Sequence, residues 1–336
     1  GGIGMYSLTI DREEYSANGP DKLYKLAEKN VKLEPYYYSD KKDSYSFNPK
    51  VEYPVHYWKL APVFRSQLGG PDGFFFADFR LAYKSEFLIN QNLAIYTHAS
   101  QGLYDNFGGL KLASDSILPH VRTDVVKYLQ ASRQKPFIKR MQLNYYHEFT
   151  ENIYTKLAAG IFEDMFTGFG GEVLYRPYAG NYGVGAELWQ VKQRDFRMLF
   201  GSRDYEILTG FVNLYIKEPK SQVLFSIKGG RFLAGDSGIQ FDAARRFKSG
   251  LRIGAFFAKT DISDFEFGEG SFDKGFYFYI PIESFFQEYI KGNTGFGLRP
   301  LTRDGAAVLS HQMPLWGVTE QAQRDVFDRD WDDFYD

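Results

Sequence analysis

The feature that most restricts how this chain can fold is a period-two pattern that recurs at strand length. In residues 78–87, DFRLAYKSEF, one face carries Phe79, Leu81, Tyr83 and Phe87 and the other Asp78, Arg80, Lys84 and Glu86. Residues 141–149 set Met141, Leu143, Tyr145 and Phe149 against Gln142, Asn144, Tyr146 and Glu148. Residues 182–191 set Tyr182, Val184, Ala186 and Leu188 against Gly183, Gly185 and Glu187, and residues 251–259 set Leu251, Ile253, Ala255 and Phe257 against Arg252 and Gly254. Such segments match the roughly 9–11 residues with which a tilted strand crosses a bilayer, and exceed the roughly 5–6 of an ordinary soluble strand.

A soluble sandwich or a lipocalin-like barrel alternates too, and the polar face separates the readings. Arg80, Lys84, Glu187 and Arg252 stand in mid-strand. Full charges suit a wet lumen better than a dry inter-sheet core, where an unpaired charge is costly. The pattern therefore favours a membrane barrel. Aromatic residues at 18% and 33 glycines fit many strands and tight turns. The chain has no cysteine, which excludes thiolate metal sites, disulfides and a cysteine nucleophile and suits an oxidising compartment. Lys plus Arg (40) balance Asp plus Glu (42), so no bulk charge points to nucleic acid. No apolar run approaches the roughly 18 residues of a membrane helix, and mean hydropathy is −0.38. The start, GGIGMYSLTI, lacks a basic and apolar leader, as expected if a signal was removed or if this is a piece of a longer precursor.

The connections repeat the theme. From residue 150 onward, links at 150–152, 178–181, 217–220 and 248–250 are short, and those at 162–171, 192–204, 229–238 and 261–273 are long. Strict alternation predicts short periplasmic turns on one rim and longer outer loops on the other. By the same parity, residues 100–140 form one outer-rim excursion, with a helix in LPHVRTDVVKYLQ (118–130). With 55–65 as the first crossing and 276–280 as the last, the expected fold is all-β. It is an antiparallel transmembrane β-barrel of about 12 to 14 strands with short periplasmic helices at the ends. TGFGLRP (294–300) is an extra strand without an assigned place. The expected divisions are a periplasmic or rim-packing segment over 1–50, the barrel over 51–305, and a C-terminal periplasmic tail over 306–336. The first segment has helical spacing of Leu23, Leu26, Ala27 and Val31, and the tail places Phe327, Trp331 and Phe334 on one face of a short helix.

Several stretches are specific enough to suggest kinship: LPHVRTDVVKYL (118–129), AGIFEDMFTGFGGEVLYRP (159–177), VKQRDF (191–196), FLAGDSGIQFDAARRFKSGLRIGAFFAKTDI (232–262), FGEGSFDKGFYFYIPIE (267–283) and RPLTRDG (299–305). In this order they resemble the YjbH or GfcD-like family of outer-membrane proteins encoded with exopolysaccharide and group 4 capsule genes. Members look like two tandem barrels behind a signal peptide, and this chain resembles the C-terminal half. The resemblance implies secretion or surface assembly of an acidic or neutral polysaccharide at the outer membrane. It also implies periplasmic and lipoprotein partners of the same pathway and a preceding second barrel of the same precursor. It supplies no catalytic residue and no cofactor.

Carbohydrate recognition needs planar hydrogen-bonding side chains for hydroxyls and aromatic faces for sugar C–H surfaces. The outer-rim loops collect both: Glu163, Asp164, Gln193, Arg194, Asp195, Arg231, Asp236, Glu269, Asp273 and Lys274, among Phe162, Phe166, Phe196 and Phe232. These are the candidate glycan contacts; alternatively their charges pair with one another and close the barrel mouth. Glu163 with Asp164, or Glu269 with Asp273, could form an acid–base pair of a glycan hydrolase. The FGEGSFD stretch lacks an EF-hand pattern and offers only a weak calcium signal, so no metal is assigned. His98 and Ser100 share a strand face without a visible third member of a triad. The lumen candidates Arg80, Lys84, Glu187 and Arg252 either line a hydrated glycan path or pair across a filled interior. The reading is a non-enzymatic barrel that helps export or assemble exopolysaccharide, with an outer-membrane enzyme acting on glycan or lipid, or a purely structural barrel that docks partner proteins, as alternatives. Outer-membrane extracts should yield this protein as a band that migrates differently with and without boiling; a heat-insensitive cytosolic protein would overturn the fold assignment.

Overall fold

The computed structural model describes residues 6–9, 32–35, 52–68, 72–111, 114–150, 152–177, 180–247, 249–267, 272–281, 293–298 and 303–320. Two short strands, β1 (Tyr6–Thr9) and β2 (Lys32–Pro35), pair antiparallel with each other. The other thirteen make one sheet in chain order, every neighbouring pair antiparallel. They are β3 (Val55–Leu68), β4 (Phe75–Leu88), β5 (Leu93–Asp105), β6 (Pro136–Thr150), β7 (Ile153–Ile161), β8 (Phe166–Tyr175), β9 (Tyr182–Arg194), β10 (Ser202–Glu218), β11 (Val223–Arg231), β12 (Ser237–Arg246), β13 (Arg252–Thr260), β14 (Asp273–Pro281) and β15 (Asn293–Leu298). Such up-and-down order is what successive hairpins give when each strand pairs with the one just made.

The alternation in sequence becomes two unlike faces. Outward side chains are large, apolar and open: Leu157 (62% exposed), Phe169 (61%), Leu188 (56%) and Val212 (63%). Inward neighbours on the same strands, Lys156, Glu187, Trp189 and Asn213, are buried. Water would not tolerate so broad an apolar surface, whereas acyl chains match it. Pairing strand to strand meets, for all but the outer edges of β3 and β15, the demand a bilayer makes of the backbone of a spanning segment. No described helix is long and apolar enough to cross a membrane.

The interior is filled by a long excursion between β5 and β6, which carries a 3-10 turn (Phe107–Gly109) and the helix α1 (Val125–Ala131), and by the chain beyond β15. A short turn α2 (Asp264–Phe267) precedes β14, and α3 (Leu315–Glu320) ends the described chain. Val121 and Tyr128 of the excursion, Phe162 and Met165 between β7 and β8, Trp189 and Ile207 from the wall, and Ala307 and Leu309 after β15 pack into one cluster. A second cluster toward the opposite rim joins Tyr146, Tyr154, Leu174 and Leu224 to Leu315 and Trp316. Inward glycines make room for these rings: a Cβ on Gly183 would meet the Trp316 indole at 2.8 Å, and one on Gly170 the Trp189 indole at 2.5 Å.

The expectations fare unevenly. The excursion and its helix are present, and the segment without an assigned place is β15, the thirteenth strand of the sheet, paired with β14. The strict alternation of link lengths does not survive, because strands run on beyond their apolar stretch. The link expected at 162–171 is only 162–165, shorter than the 176–181 turn on the other rim, since FTGFGG is the start of β8. Here glycine-rich sequence is strand packed under large neighbours rather than loop. Residues 306–320, expected in a tail outside the barrel, lie against the inner wall. The candidate helices at Leu23–Val31 and Phe327–Phe334, and candidate Glu269, lie outside the described residues. Val212 stands two residues from the midpoint of β10 on the outward face. Val212→Arg should therefore cost about 2–4 kcal/mol of stability in vesicles, and Glu206→Arg nearer the rim about 0–1, read as the shift in urea unfolding free energy.

Candidate functional site

The chain from Arg303 to Glu320 runs through the interior from the rim that bears the long excursion (the loop rim) to the rim of short turns (the turn rim). At the loop rim Asp304 accepts from the backbone N–H of Arg122 (2.7 Å) and of Thr123 (3.0 Å). Asp236, between β11 and β12, accepts from the Ala306 N–H at 2.8 Å, and the Leu233 N–H donates to the Ala307 carbonyl at 2.9 Å. Arg122 grips the Glu163 carboxylate with both terminal nitrogens (2.7 and 3.2 Å) and donates to the Val308 carbonyl at 2.7 Å. Glu163 in turn accepts from the Ser310 N–H at 3.1 Å.

Midway, charges from the wall meet the segment. Arg140 on β6 donates to the Ser310 carbonyl (3.2 Å) and the Gln312 side chain (2.6 Å), and Gln142 accepts from the Gln312 N–H (3.0 Å). Lys156 on β7 donates to the Gln312 and Met313 carbonyls at 2.6 and 3.2 Å. Its ammonium also lies 3.0 Å from His311 Nδ1. An ammonium has only donors, so that Nδ1 must accept, and the neutral ring carries its proton on Nε2. Nε2 points between Glu172 (3.3 Å) on β8 and Glu187 (3.2 Å) on β9. Glu187 also receives Lys228 from β11 (3.0 Å), the Trp189 indole N–H (3.0 Å) and the Asn213 amide (3.2 Å). At the turn rim Glu172 accepts from the Leu315 N–H (3.0 Å), and Arg176 donates to the Trp316 carbonyl (3.0 Å) and the Thr319 hydroxyl (2.9 Å). The Arg176 guanidinium lies 3.6 Å over the Trp316 ring, which stacks on Tyr215 at 4.2 Å. Desolvated cation–π contacts of this kind are worth about 2 kcal/mol.

The ligand atoms of Glu172, Glu187 and His311 all lie within 4.8 Å of one another, the donor set of a small metal site. The protein supplies its own cations there: Lys228 at 3.0 Å from Glu187 and Lys156 at 3.7 Å from Glu172. With its proton on Nε2, His311 presents the carboxylates a donor and no lone pair. The trio is thus a neutralised ion network.

At the loop rim the excursion is clamped by electrostatics. Buried Asp124 would be raised by desolvation alone, but bonds from Lys127 (2.7 Å), Arg203 (2.9 Å) and His120 (3.1 Å) outweigh it and hold the carboxyl below its ordinary value. Asp236 goes the other way: burial raises it, and the Ala306 amide offsets only part.

Among the candidates named from sequence, Glu187 is the hub of the lumen network and Glu163 a tether of the inner segment. Arg194 is buried and donates to the Glu163 (2.9 Å), Asp164 (3.1 Å) and Leu199 (2.9 Å) carbonyls, and Gln193 donates to the His120 carbonyl at 2.9 Å. Both hold the loop rim together. Asp273 is buried at the start of β14. Asp195 accepts from the Arg197 N–H at 2.8 Å; exposed Arg231 reaches the Gly235 carbonyl at 3.4 Å, and Lys274 sits 4.4 Å over the Phe272 ring. Arg80 is buried near the loop rim, bonded to Asp78 and to the Ser132 carbonyl (2.9 Å). Lys84 stands in register with Lys59 and His98, and Arg252 with Arg246 and Tyr279, both apart from the hub. His98 therefore lies in register between Lys84 and Arg140, cations where a triad needs an acid. Sequence reading missed Arg140, Lys156, Glu172 and Lys228, although inward parity of mid-strand charge could have found them. His311 had no local signal at all. A groove of about 600 Å³ lined by Leu157, Val173, Leu188 and Val212 lies on the outward face, away from this chemistry.

An antiparallel sheet with a lipid-matched outside and a charged, packed inside is the architecture of an outer-membrane β-barrel protein. Residues 2–321 match the family described as "Exopolysaccharide biosynthesis protein YbjH". The chain belongs to this family. It is 32% identical over 268 residues to the "Uncharacterized lipoprotein YjbH" of Escherichia coli (strain K12), an alignment covering 77% of this chain and 38% of that protein. The chain thus corresponds to well under two thirds of that relative. Among solved structures, a loop L8 deletion mutant of OmpT, an outer membrane protein of Vibrio cholerae, aligns at 11% identity and TM-score 0.33 over 74% of this chain and 95% of that one. The trimer form of in-vitro folded OmpT aligns at 12% identity and TM-score 0.34 over 77% and 95%. At such scores the barrel assignment rests on the strand topology and outward face described above.

Glu187→Gln should destabilise the folded barrel by about 3–5 kcal/mol, because Lys228 is left as an uncompensated charge. The double variant Glu187→Gln, Lys228→Gln should lose much less than the sum of the single losses. Urea unfolding of the four proteins in vesicles closes this double-mutant cycle.

Proposed function

We propose that this barrel assists secretion or surface assembly of exopolysaccharide or capsule at the outer membrane and catalyses no reaction of its own. The observation that carries this reading is the inward face itself: hydrogen-bonding cations, amides and aromatic rings follow one another from rim to rim, the chemistry that binds a polyhydroxylated chain. Family membership supplies the exopolysaccharide. Against catalysis stands the engagement of the acids near the interior: Glu163 is held by Arg122, Glu187 by Lys228 and His311, and Glu172 by His311 and the Leu315 amide. A general acid and base must exchange protons with substrate, and carboxylates committed to ion pairs are poorly placed to do so.

In this reading the loop rim faces outward, with Asp195, Arg231 and Lys274 available to an emerging glycan and Glu269 close to Lys274 in sequence. The partners are the lipid of the outer membrane, periplasmic proteins and lipoproteins of the same pathway, and a second barrel preceding this one in the same precursor. Deleting the gene should lower surface polysaccharide, and restoring it should recover the amount without altering sugar composition or chain ends. An unchanged amount with altered composition would overturn the non-catalytic reading in favour of an enzyme.

A further inference from the structure

The segment Arg303–Glu320 fills its channel in an unusual way, because each type of group that would recognise a glycan is occupied by part of the segment. Cations of the excursion and the wall end on its backbone oxygens: Arg122 on Val308, Arg140 on Ser310, Lys156 on Gln312 and Met313, and Arg176 on Trp316. Wall aromatics carry its rings: His311 lies 4.6 Å from Trp189, and Trp316 stacks on Tyr215 at 4.2 Å with planes 13° apart. Arg140 ends all four of its hydrogen bonds on neutral oxygens, of Phe162, Gln312 and Ser310 (carbonyl and hydroxyl).

We propose that this segment is an exchangeable plug that occupies the lumen path of an acidic polysaccharide and yields to it. The inference rests on the polysaccharide reading above and adds the charge class of the polymer and the element that moves. A carboxylate-bearing chain offers the same donors a charged acceptor in place of an amide carbonyl, and charge-assisted hydrogen bonds are roughly twice as strong as neutral ones. Sugar C–H faces cover Trp189 and Tyr215 as the plug's rings do. Leu309 apart, which packs in the apolar cluster, the plug's grip between Val308 and Met313 is mainly hydrogen bonding, which costs only about 0.5–1.5 kcal/mol net per bond to exchange for another polar partner. Wall acids Glu163, Glu172 and Glu187 keep their own cations, so the polymer's charge is read chiefly by Arg140.

The natural absence of cysteine makes the test direct. In this 336-residue chain folded in vesicles, Ala307→Cys places a single thiol at a position now 1% exposed. Its reaction with a charged, membrane-impermeant maleimide should be slow and should accelerate about tenfold with oligogalacturonate, the mass-action effect of a ligand that stabilises the open form by about 1.4 kcal/mol. Neutral dextran oligomers of equal length should leave it slow. Adding Arg140→Gln should raise the half-saturating oligogalacturonate concentration about tenfold, the size of one charge-assisted hydrogen bond. If Ala307→Cys gives no heat-modifiable band, Leu309→Cys serves at the next buried position of the segment. No acceleration by oligogalacturonate overturns the exchangeable plug, and equal acceleration by dextran overturns the acidic polymer. Normal surface polysaccharide after gene deletion counts against the export role instead, so the two failures are distinguishable.

Discussion

The interior depends on one constraint: a carboxylate removed from water must be met by a partner in the protein. Glu187 sits buried on β9, and three wall residues, Lys228, Trp189 and Asn213, bond to it. The fourth partner, His311, comes from a segment more than a hundred residues downstream. The same ring accepts from Lys156 and faces Glu172, so strands β7, β8 and β9 are bound through one imidazole to the chain inside them, and β11 joins them through Lys228 on Glu187. Without that chain Lys156 and Glu172 would need water or another polar polymer, since neither is stable in a dry cavity. The inner segment is in this sense part of the wall's electrostatics.

Two apolar clusters flank this polar middle and explain why the segment holds its place. At the loop rim the excursion folds inward, with Tyr128 donating to the Arg194 carbonyl at 2.5 Å and Phe196 packed edge-on against it at 5.1 Å. At the turn rim Trp316 is wedged between Arg176 and Tyr215 in the space left by Gly183. Between these anchors the contacts are mainly hydrogen bonds, to the Ser310, Gln312 and Met313 carbonyls, the Gln312 side chain and His311, polar partners of a kind that an oxygen-rich chain also offers. An interior with firm ends and a polar middle links the packing to a role in handling polysaccharide.

Much of the fold was legible in the residues because a bilayer-spanning strand writes its environment into every second position. Phe79, Leu188 and Phe257 face outward and Asn144, Glu187 and Ala258 inward, as the alternation requires. The parity that kept 118–130 out of the sheet also held, since a crossing there would have reversed every later strand. Loop lengths were less legible. FTGFGG reads as loop by composition, yet it is strand, because its glycines lie beneath Trp189 and beside Leu157 where larger side chains would collide. Rim residues such as Arg194, Gln193 and Asp273 read as exposed and prove buried, the first two beneath the folded excursion, whose Tyr128 and His120 bond to them.

The sequence by itself determined which side chains meet lipid and which meet the interior, and it marked the chain as an outer-membrane barrel of the exopolysaccharide family. Both are local properties, carried by a two-residue period and by short motifs. Only the tertiary structure decided what fills the enclosed space. Ala307, His311 and Trp316 belong to no periodic stretch that would announce burial, and their partners lie on strands far away in the chain. Which distant segment supplies the remaining hydrogen-bond partners of Lys156 and Glu172 is settled by the folding of a sheet around it, a non-local event to which no local pattern refers.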